Sequence, residues 1–288
     1  MSDYIIYTDS ACDIAPDILE KWNVKCSSLT FHFEGEGREY ANDEMTPGEF
    51  YARMRQGQVA KTSAINVETF KEAFEPELKA GNDLLYVGFS TGLSNTCNAA
   101  QLAANELCAL YPERKLLVVD SLSASAGFGL LLYLTVKRRD EGASIEEAAK
   151  FVEDTRLQLC HWFTVDDLVY LKRGGRISPT VALIGTMLGI KPVMHVDNEG
   201  HLVNVTQARG RKAALKALAN KYTELALDPK AGPVFISHGD CMDDVNRLKE
   251  LIRAQHGIDV ELVADVGPVI GAHSGPGTMA LFFLGRER

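Results

Sequence analysis

The sequence predicts an α/β protein of two domains, with a parallel, doubly wound sheet over residues 1–157 and an α/β domain with a mixed or antiparallel sheet over residues 158–288. Three observations carry that expectation. Short apolar runs such as Tyr4-Ile5-Ile6-Tyr7 and Leu84-Leu85-Tyr86-Val87 alternate with helical patterns, which argues for parallel strands covered on both faces. Near Cys160 the pattern changes: Asp197-Asn198-Glu199-Gly200-His201 separates two strand-like runs and reads as a β-hairpin. The 288 residues, 46% hydrophobic and 24% charged, supply ample core for a globular chain of this kind.

Taken in order, Tyr4–Tyr7 is a short strand ending in the polar turn Thr8-Asp9-Ser10. Pro16 opens a short helix to Trp22, as proline suits a first turn. Val24–Phe33 reads as one strand. Thr46-Pro47 is an N-cap and N1 pair for a helix to Arg55. Lys61-Thr62-Ser63 reads as a polar entry to a helix over Val67–Lys79, capped by Asn66, in which Pro76 should introduce a kink or an early stop. Further strands are expected at 84–87 and 115–119, with helices at about 125–139 and 144–159, the last opening on the capping-box spacing Ser144–Glu147. In the second half, strands are expected at 161–165, 191–196, 202–207, 234–237 and 260–263, and helices at about 166–171, from Ser178-Pro179, and over 211–227 and 242–255. A glycine and proline loop over 267–277 lies between apolar segments.

The net charge of −9 argues against a general nucleic-acid binder, which needs a basic surface. Six scattered cysteines with no C-x-x-C pair read as reduced thiols of a cytoplasmic protein. The N-terminus has Asp3 and no apolar core of a signal peptide. The longest apolar run, Phe128–Val136, falls far short of the ~20 residues of a membrane span, so no integral membrane contact is expected.

The stretch from Asp83 to Ala104 joins a strand to a helix through Gly88-Phe89-Ser90-Thr91-Gly92-Leu93-Ser94-Asn95-Thr96. Hydroxyls and free N–H groups at the carboxyl end of a strand favour an anion. Gly88–Gly92 also matches G-x-S-x-G, and Ser90, Asp240 and His273 fall in the order of an α/β-hydrolase triad, which makes a Ser90 esterase the rival reading. Against it, a nucleophile elbow passes at once into its helix, whereas here Ser94 or Asn95 is the better cap, and no H-G-G-G-type segment occurs. Ser94 and Thr62 each read as a cap or as a hydroxyl donor to an anion, at one edge of the same sheet. His273, in its glycine loop, suits a site because such loops permit close backbone approach. Arg173 and Arg176, in the turn Lys172–Arg176, suit either an anion or solvent. Arg209, Arg211 and Lys212 put positive charge at a helix start, against the dipole, which points to an intermolecular or anion-binding role. No metal-ligand spacing and no nucleotide motif occurs, so neither metal nor cofactor is expected.

Several stretches together resemble the DegV family, bacterial proteins that bind a long-chain fatty acid. They are Tyr7–Ser10, Lys61–Ser63, Phe89–Thr96, Val118–Ser125, Asp166–Ser178, Gly189–Pro192, Arg209–Lys212 and Gly271–Gly277, in order over nearly the whole chain. The resemblance implies a carrier without catalysis of its own, its acyl chain in a buried tunnel and the carboxylate near the domain junction. It implies that Thr62 and Ser94 hold the carboxylate, with His273 and Arg173 beside them. It further implies a fatty acid kinase partner that makes acyl-phosphate and docks through the patch containing Arg209. Leu29, Phe31, Phe89, Leu93, Phe128, Met187 and Phe282 are candidate tunnel residues, and each reads equally as ordinary core. Two departures from the family pattern, Ala64-Ile65 after Ser63 and Asn95 after Ser94, bear on the tunnel mouth and leave the two hydroxyls intact.

Overall fold

A computed structural model describes residues 4–177 and 189–288. The helix expected from Ser178-Pro179 and the candidate tunnel residue Met187 lie outside the described residues. The first half contains β1 (Tyr4–Asp9), α1 (Pro16–Lys21), β2 (Val24–Ser27), β3 (Thr30–Phe33), β4 (Tyr40–Ala41), α2 (Pro47–Arg55), β5 (Ala60–Ser63) and α3 (Val67–Lys79). It continues with β6 (Asp83–Gly88), α4 (Thr96–Leu110), β7 (Leu116–Asp120), α5 (Ala126–Asp140) and α6 (Ile145–Thr155). The second half follows with β8 (Leu159–Thr164), α7 (Val169–Arg173), β9 (Ile190–Val196), β10 (Leu202–Arg209) and α8 (Arg211–Leu225). It closes with β11 (Phe235–His238), α9 (Met242–His256), β12 (Leu262–Asp265), α10 (Pro268–Ser274) and β13 (Met279–Leu284). No described helix is long and apolar enough to cross a membrane.

The first domain is built on a parallel sheet in the order β2-β1-β6-β7. Its central strands are covered on both faces: Leu84 to Gly88 are all buried. The second domain holds a six-stranded mixed sheet, β10-β9-β8-β13-β11-β12, in which only β11 and β12 run parallel. The fold class expected from the sequence is therefore the one observed.

A third sheet, β4-β3-β5, is antiparallel and was not foreseen. Val24–Phe33 is two strands rather than one. At the break, the Leu29 N–H donates to Ser10 Oγ at 2.9 Å and Ser28 Oγ accepts the Asn42 N–H at 3.0 Å. These bonds turn the chain off the edge of the parallel sheet and start β3 elsewhere. Lys61-Thr62-Ser63, expected as the polar entry to a helix, belongs to the strand that pairs with it, Phe31 opposite Thr62.

The local signals for helix starts hold. Thr46 accepts from the Glu49 N–H, Asn66 from the Thr69 N–H, and Ser144 and Glu147 form the reciprocal box. Pro76 does not end α3, which runs on to Lys79. Phe70, Phe74 and Leu78, four residues apart and fully or nearly buried, pin one face of that helix to the core and outweigh the lost N–H.

The two main sheets meet across α5. One continuous core includes Phe128, Leu130 and Leu131 of α5 together with Phe163, Phe235, Ala280 and Phe282 from the inner face of the mixed sheet. A separate core, with Trp162, Leu215 and Leu281, packs on that sheet's outer face. Buried hydrogen bonds stitch the seam. Ser125 Oγ lies 2.9 Å from Ser237 Oγ, Ser123 Oγ lies 3.1 Å from His161 Nδ1, and the Tyr51 hydroxyl donates to the Val266 carbonyl at 2.8 Å. Asp13 accepts from the Gly267 N–H at 3.0 Å and from Ser125 Oγ at 2.5 Å. Burial pushes the Asp13 carboxyl up to about 8, although both of those donors favour its charged form.

That shift makes stability depend on pH. The folded chain holds the Asp13 proton more tightly than the unfolded chain, so stability is lost as pH rises through the folded value. Asp9, pushed up to about 6 by its own burial, contributes to the same trend at lower pH. Urea denaturation at about pH 6.5 and about pH 8.5 separates the two. The wild type is expected to lose stability between these conditions and Asp13→Asn to lose distinctly less. Equal losses would show that Asp13 is not held protonated.

Candidate functional site

The site is organised around the turn that leaves β6. Asp9, fully buried at the end of β1, accepts from the Tyr86 hydroxyl at 2.6 Å and from the N–H groups of Phe89 and Ala11 at 3.0 and 3.1 Å. One carboxylate thus ties the ends of two neighbouring strands and fixes where the turn begins. Ser90 then folds the turn back on itself: its carbonyl accepts from the N–H groups of Leu93 and Ser94, both at 3.0 Å. Its hydroxyl donates to the Gly200 carbonyl at 3.0 Å and accepts from the Gly92 N–H at 3.1 Å. Gly92 is required by close approach, because a Cβ there would lie 2.7 Å from the Gly200 carbonyl oxygen. The β9–β10 hairpin of the second domain therefore clamps the turn of the first.

This settles where Ser90 spends its hydroxyl. The three residues of the hydrolase pattern are apart in their bonding: Asp240 pairs with Arg55, and His273 bonds Thr62. Among the described residues, none of Ser90, Asp240 and His273 hydrogen-bonds another.

Ser94 stands at the start of α4. Its Oγ accepts the Thr96 N–H at 3.2 Å and lies 2.9 Å from Thr96 Oγ1. The assigned cap residue, Asn95, makes no side-chain cap bond, so Ser94 supplies the capping oxygen from one residue earlier. Thr62 reaches the same place from a different sheet, not from the edge shared with Ser94 that the sequence suggested. Its Oγ1 lies 2.8 Å from His273 Nε2. His273 is not in a loop: it sits in the last turn of α10, which Pro268 starts and Gly275 ends. Burial, and after it the positive charge of Arg176, pushes the His273 imidazole down to about 4, so at neutral pH it is uncharged. Its Nδ1 is buried and, among the described residues, has no partner. The basic turn packs directly on this ring, since a Cβ at Gly174 would fall 2.1 Å from Nδ1.

Of the two arginines in that turn, the structure brings Arg176 to the site and leaves Arg173 outside it. Arg176 is half-buried, lines the cavity and donates from Nε to the Leu93 carbonyl at 3.1 Å, next to Ser94. Arg173 is exposed, with its guanidinium 5.7 Å from the Tyr170 ring centroid, and does not line the cavity. The turn at Gly174-Gly175 separates the two side chains, one exposed beside Tyr170 and one at the cavity, which a count of residues along the chain does not reveal. Arg209, at the end of β10, is exposed and does not line this cavity, with no ion pair among the described residues.

Thr62, Ser94, His273 and Arg176 all line one cavity of about 250 Å³ at the seam. Its walls are mainly apolar: Leu29, Phe89, Leu93, Phe163, Val269 and Ile270 all face it. Leu29, Phe89 and Leu93 were expected there; Phe31, Phe128 and Phe282 were too, but they are fully buried core and do not line it. Sequence reasoning assigned no role to Asp9 and missed Ser125 and Ser237, which also reach the cavity. The position of Asp9 at a strand end, directly before a polar turn, was the available signal for the first. Ser125 and Ser237 are 112 residues apart and gave none.

An α/β protein with a largely apolar cavity at the seam between its sheets, and a small polar cluster in one part of it, is a binding-pocket architecture. The chain belongs to the DegV family, whose model, described as covering uncharacterised DegV-family proteins, matches residues 4–286. A DegV domain-containing protein of Clostridium perfringens is 40% identical over 99% of this chain and 98% of its own. A DegV-family protein from Thermus thermophilus, described as binding fatty acid, superposes with a TM-score of 0.88 at 31% identity, covering 98% of this chain and 99% of that one. A stearic acid-binding protein from Eubacterium ventriosum superposes equally well, TM-score 0.88 at 26% identity, with 98% of each chain covered.

The electrostatics of the site are open to direct measurement. In the ligand-free protein the His273 ring is expected to stay neutral down to about pH 4, followed by NMR of its ring carbons. Arg176→Ala removes the lesser of the two causes and should raise that value without restoring the ordinary one. A ring that titrates near the usual histidine range in the wild type would contradict this description.

Proposed function

We propose that this protein is a carrier that binds a long-chain fatty acid in the seam cavity and presents its carboxylate to a fatty acid kinase. The observation that carries the reading is the meeting of Thr62, Ser94, His273 and Arg176 on one cavity whose exposed wall is mainly apolar. Two hydroxyls donate to a carboxylate without competing charge, the neutral His273 ring orients the Thr62 proton toward it by donating its own Nε2–H to Thr62 Oγ1, and the one guanidinium balances the charge. Arg176 takes the part that the resemblance gave to Arg173. An alkyl tail of about fifteen methylenes contributes roughly 12 kcal/mol of transfer free energy, before ordering costs are subtracted. The fatty acids bound by the Thermus and Eubacterium relatives support the same ligand class.

In this reading the chain divides near residue 158, with the ligand at the junction, and works in the cytoplasm without a metal or cofactor. It catalyses nothing itself. The kinase transfers the γ-phosphoryl group of ATP to the carboxylate oxygen, and docks on the exposed basic patch around Arg209. The Ser90 esterase has no supporting observation beyond its sequence pattern, because that hydroxyl is already bonded to Gly200.

Native mass spectrometry after gentle purification tests the carrier directly, and a co-purifying fatty acid is the expected result. Protein that is ligand-free and labels at Ser90 with a fluorophosphonate would overturn the reading. Replacing both carboxylate hydroxyls, Thr62→Ala with Ser94→Ala, is expected to weaken fatty acid binding by about 10- to 100-fold, as charge-assisted hydrogen bonds are lost. Ser90→Ala should lower stability more than affinity, since it removes a buried inter-domain bond. Arg209→Glu is expected to keep the lipid and to lose acyl-phosphate formation by the kinase; loss of lipid instead would remove the docking role.

A further inference from the structure

Apart from the cluster that meets the carboxylate, the cavity wall carries a second polar group that an alkyl chain does not need. Ser125, Ser237 and Ser274 all line the cavity, with 3%, 0% and 6% of their surfaces exposed. Ser274 follows His273 in α10, so its side chain leaves the helix about 100° away from the imidazole. Its hydroxyl is buried and, among the described residues, has no hydrogen-bond partner. Ser237, on the inner face of β11 opposite Ala280, bonds Ser125, and Ser125 bonds Asp13. Ser237 on β11, Ser125 at the N-cap of α5 and Asp13 before α1 lie on segments that carry none of Thr62, Ser94, His273 and Arg176, whereas Ser274 shares α10 with His273.

The proton count along Asp13, Ser125 and Ser237 leaves Ser237 with capacity to spare in either state. Each hydroxyl has one proton. With Asp13 ionised, Ser125 donates to Asp13 and Ser237 donates to Ser125, which leaves Ser237 lone pairs for a donor. With Asp13 protonated the chain runs the other way, and the Ser237 proton is free. Ser274 offers a free donor in both cases. A plain alkyl chain packed against these groups leaves a buried hydroxyl unpaired, whereas a hydroxyl on the chain both accepts and donates.

We propose that Ser237 and Ser274, backed by Ser125 and Asp13, form a hydrogen-bonding station for a hydroxyl group on the alkyl chain, so that the preferred ligand class is a hydroxylated fatty acid. This rests on the fatty acid reading above and specifies its ligand. The test uses delipidated full-length protein in competition between octadecanoic acid and hydroxyoctadecanoic acids with the hydroxyl at successive positions, read by native mass spectrometry. At least one positional isomer is expected to outbind octadecanoic acid by about 10-fold. Ser274→Ala is expected to shrink that preference while leaving octadecanoic acid binding close to wild type, and Ser237→Ala, which also breaks a bond across the seam, is expected to shrink the ratio between the two acids whatever it does to their common affinity. The station is overturned if no isomer outbinds octadecanoic acid, or if the variants weaken both acids alike. If octadecanoic acid binds without any hydroxyl preference, only the station fails; if no acid binds, the carrier reading fails and the station with it.

Discussion

The seam between the two sheets is the constraint on which the rest depends. It is closed by apolar packing around α5 and by polar bonds that are individually modest and costly to leave half-made. Ser125–Ser237, Ser123–His161, Asp13–Gly267 and Ser90–Gly200 each join a group from one domain to a group from the other. Such bonds fix the separation of the sheets more sharply than interchangeable apolar contacts do. The cavity is space that this fixed separation leaves unfilled, because the side chains facing it, among them Ala64, Ala124 and Ala280, are too short to fill it.

The site inherits its precision from the same source. Ser94 is placed by a turn whose start is set by Asp9 and whose crest lies under the hairpin at Gly200. Thr62 is placed by a separate small sheet, and His273 by a two-turn helix packed between that sheet and the basic turn. Four elements from distant parts of the chain deliver one group each. An arrangement of two hydroxyls, a neutral imidazole and one cation around a largely apolar cavity is suited to holding an anion.

Much of this was legible in the residues, and the rest was hidden for identifiable reasons. The parallel sheet announced itself through apolar runs between helical patterns, and the hairpin through Asn198-Glu199-Gly200. The caps at Thr46, Asn66 and Ser144 were readable because capping is local. Burial and long-range pairing are not local. Val24–Phe33 reads as one strand until Ser10 and Asn42 are known to lie beside its middle. Thr62 reads as a cap before a helix until Phe31 is known to lie opposite. Arg173 and Arg176 have the same chemistry, and only the structure shows which of them lines the cavity. Phe31, Phe128 and Phe282 have the same chemistry as Phe89; only depth distinguishes core from cavity wall.

Arg176 has one consequence of a different kind. Its guanidinium is partly withdrawn from water and, among the described residues, bonds carbonyl oxygens without an acidic partner. On the proposed function, a bound carboxylate completes a charge pair that the empty protein leaves open, so loading relieves an electrostatic cost as well as burying a tail. The empty form is then the less comfortable of the two. A population of such molecules would stay largely filled until supply ran low, and its unfilled fraction would report scarcity more sharply than abundance.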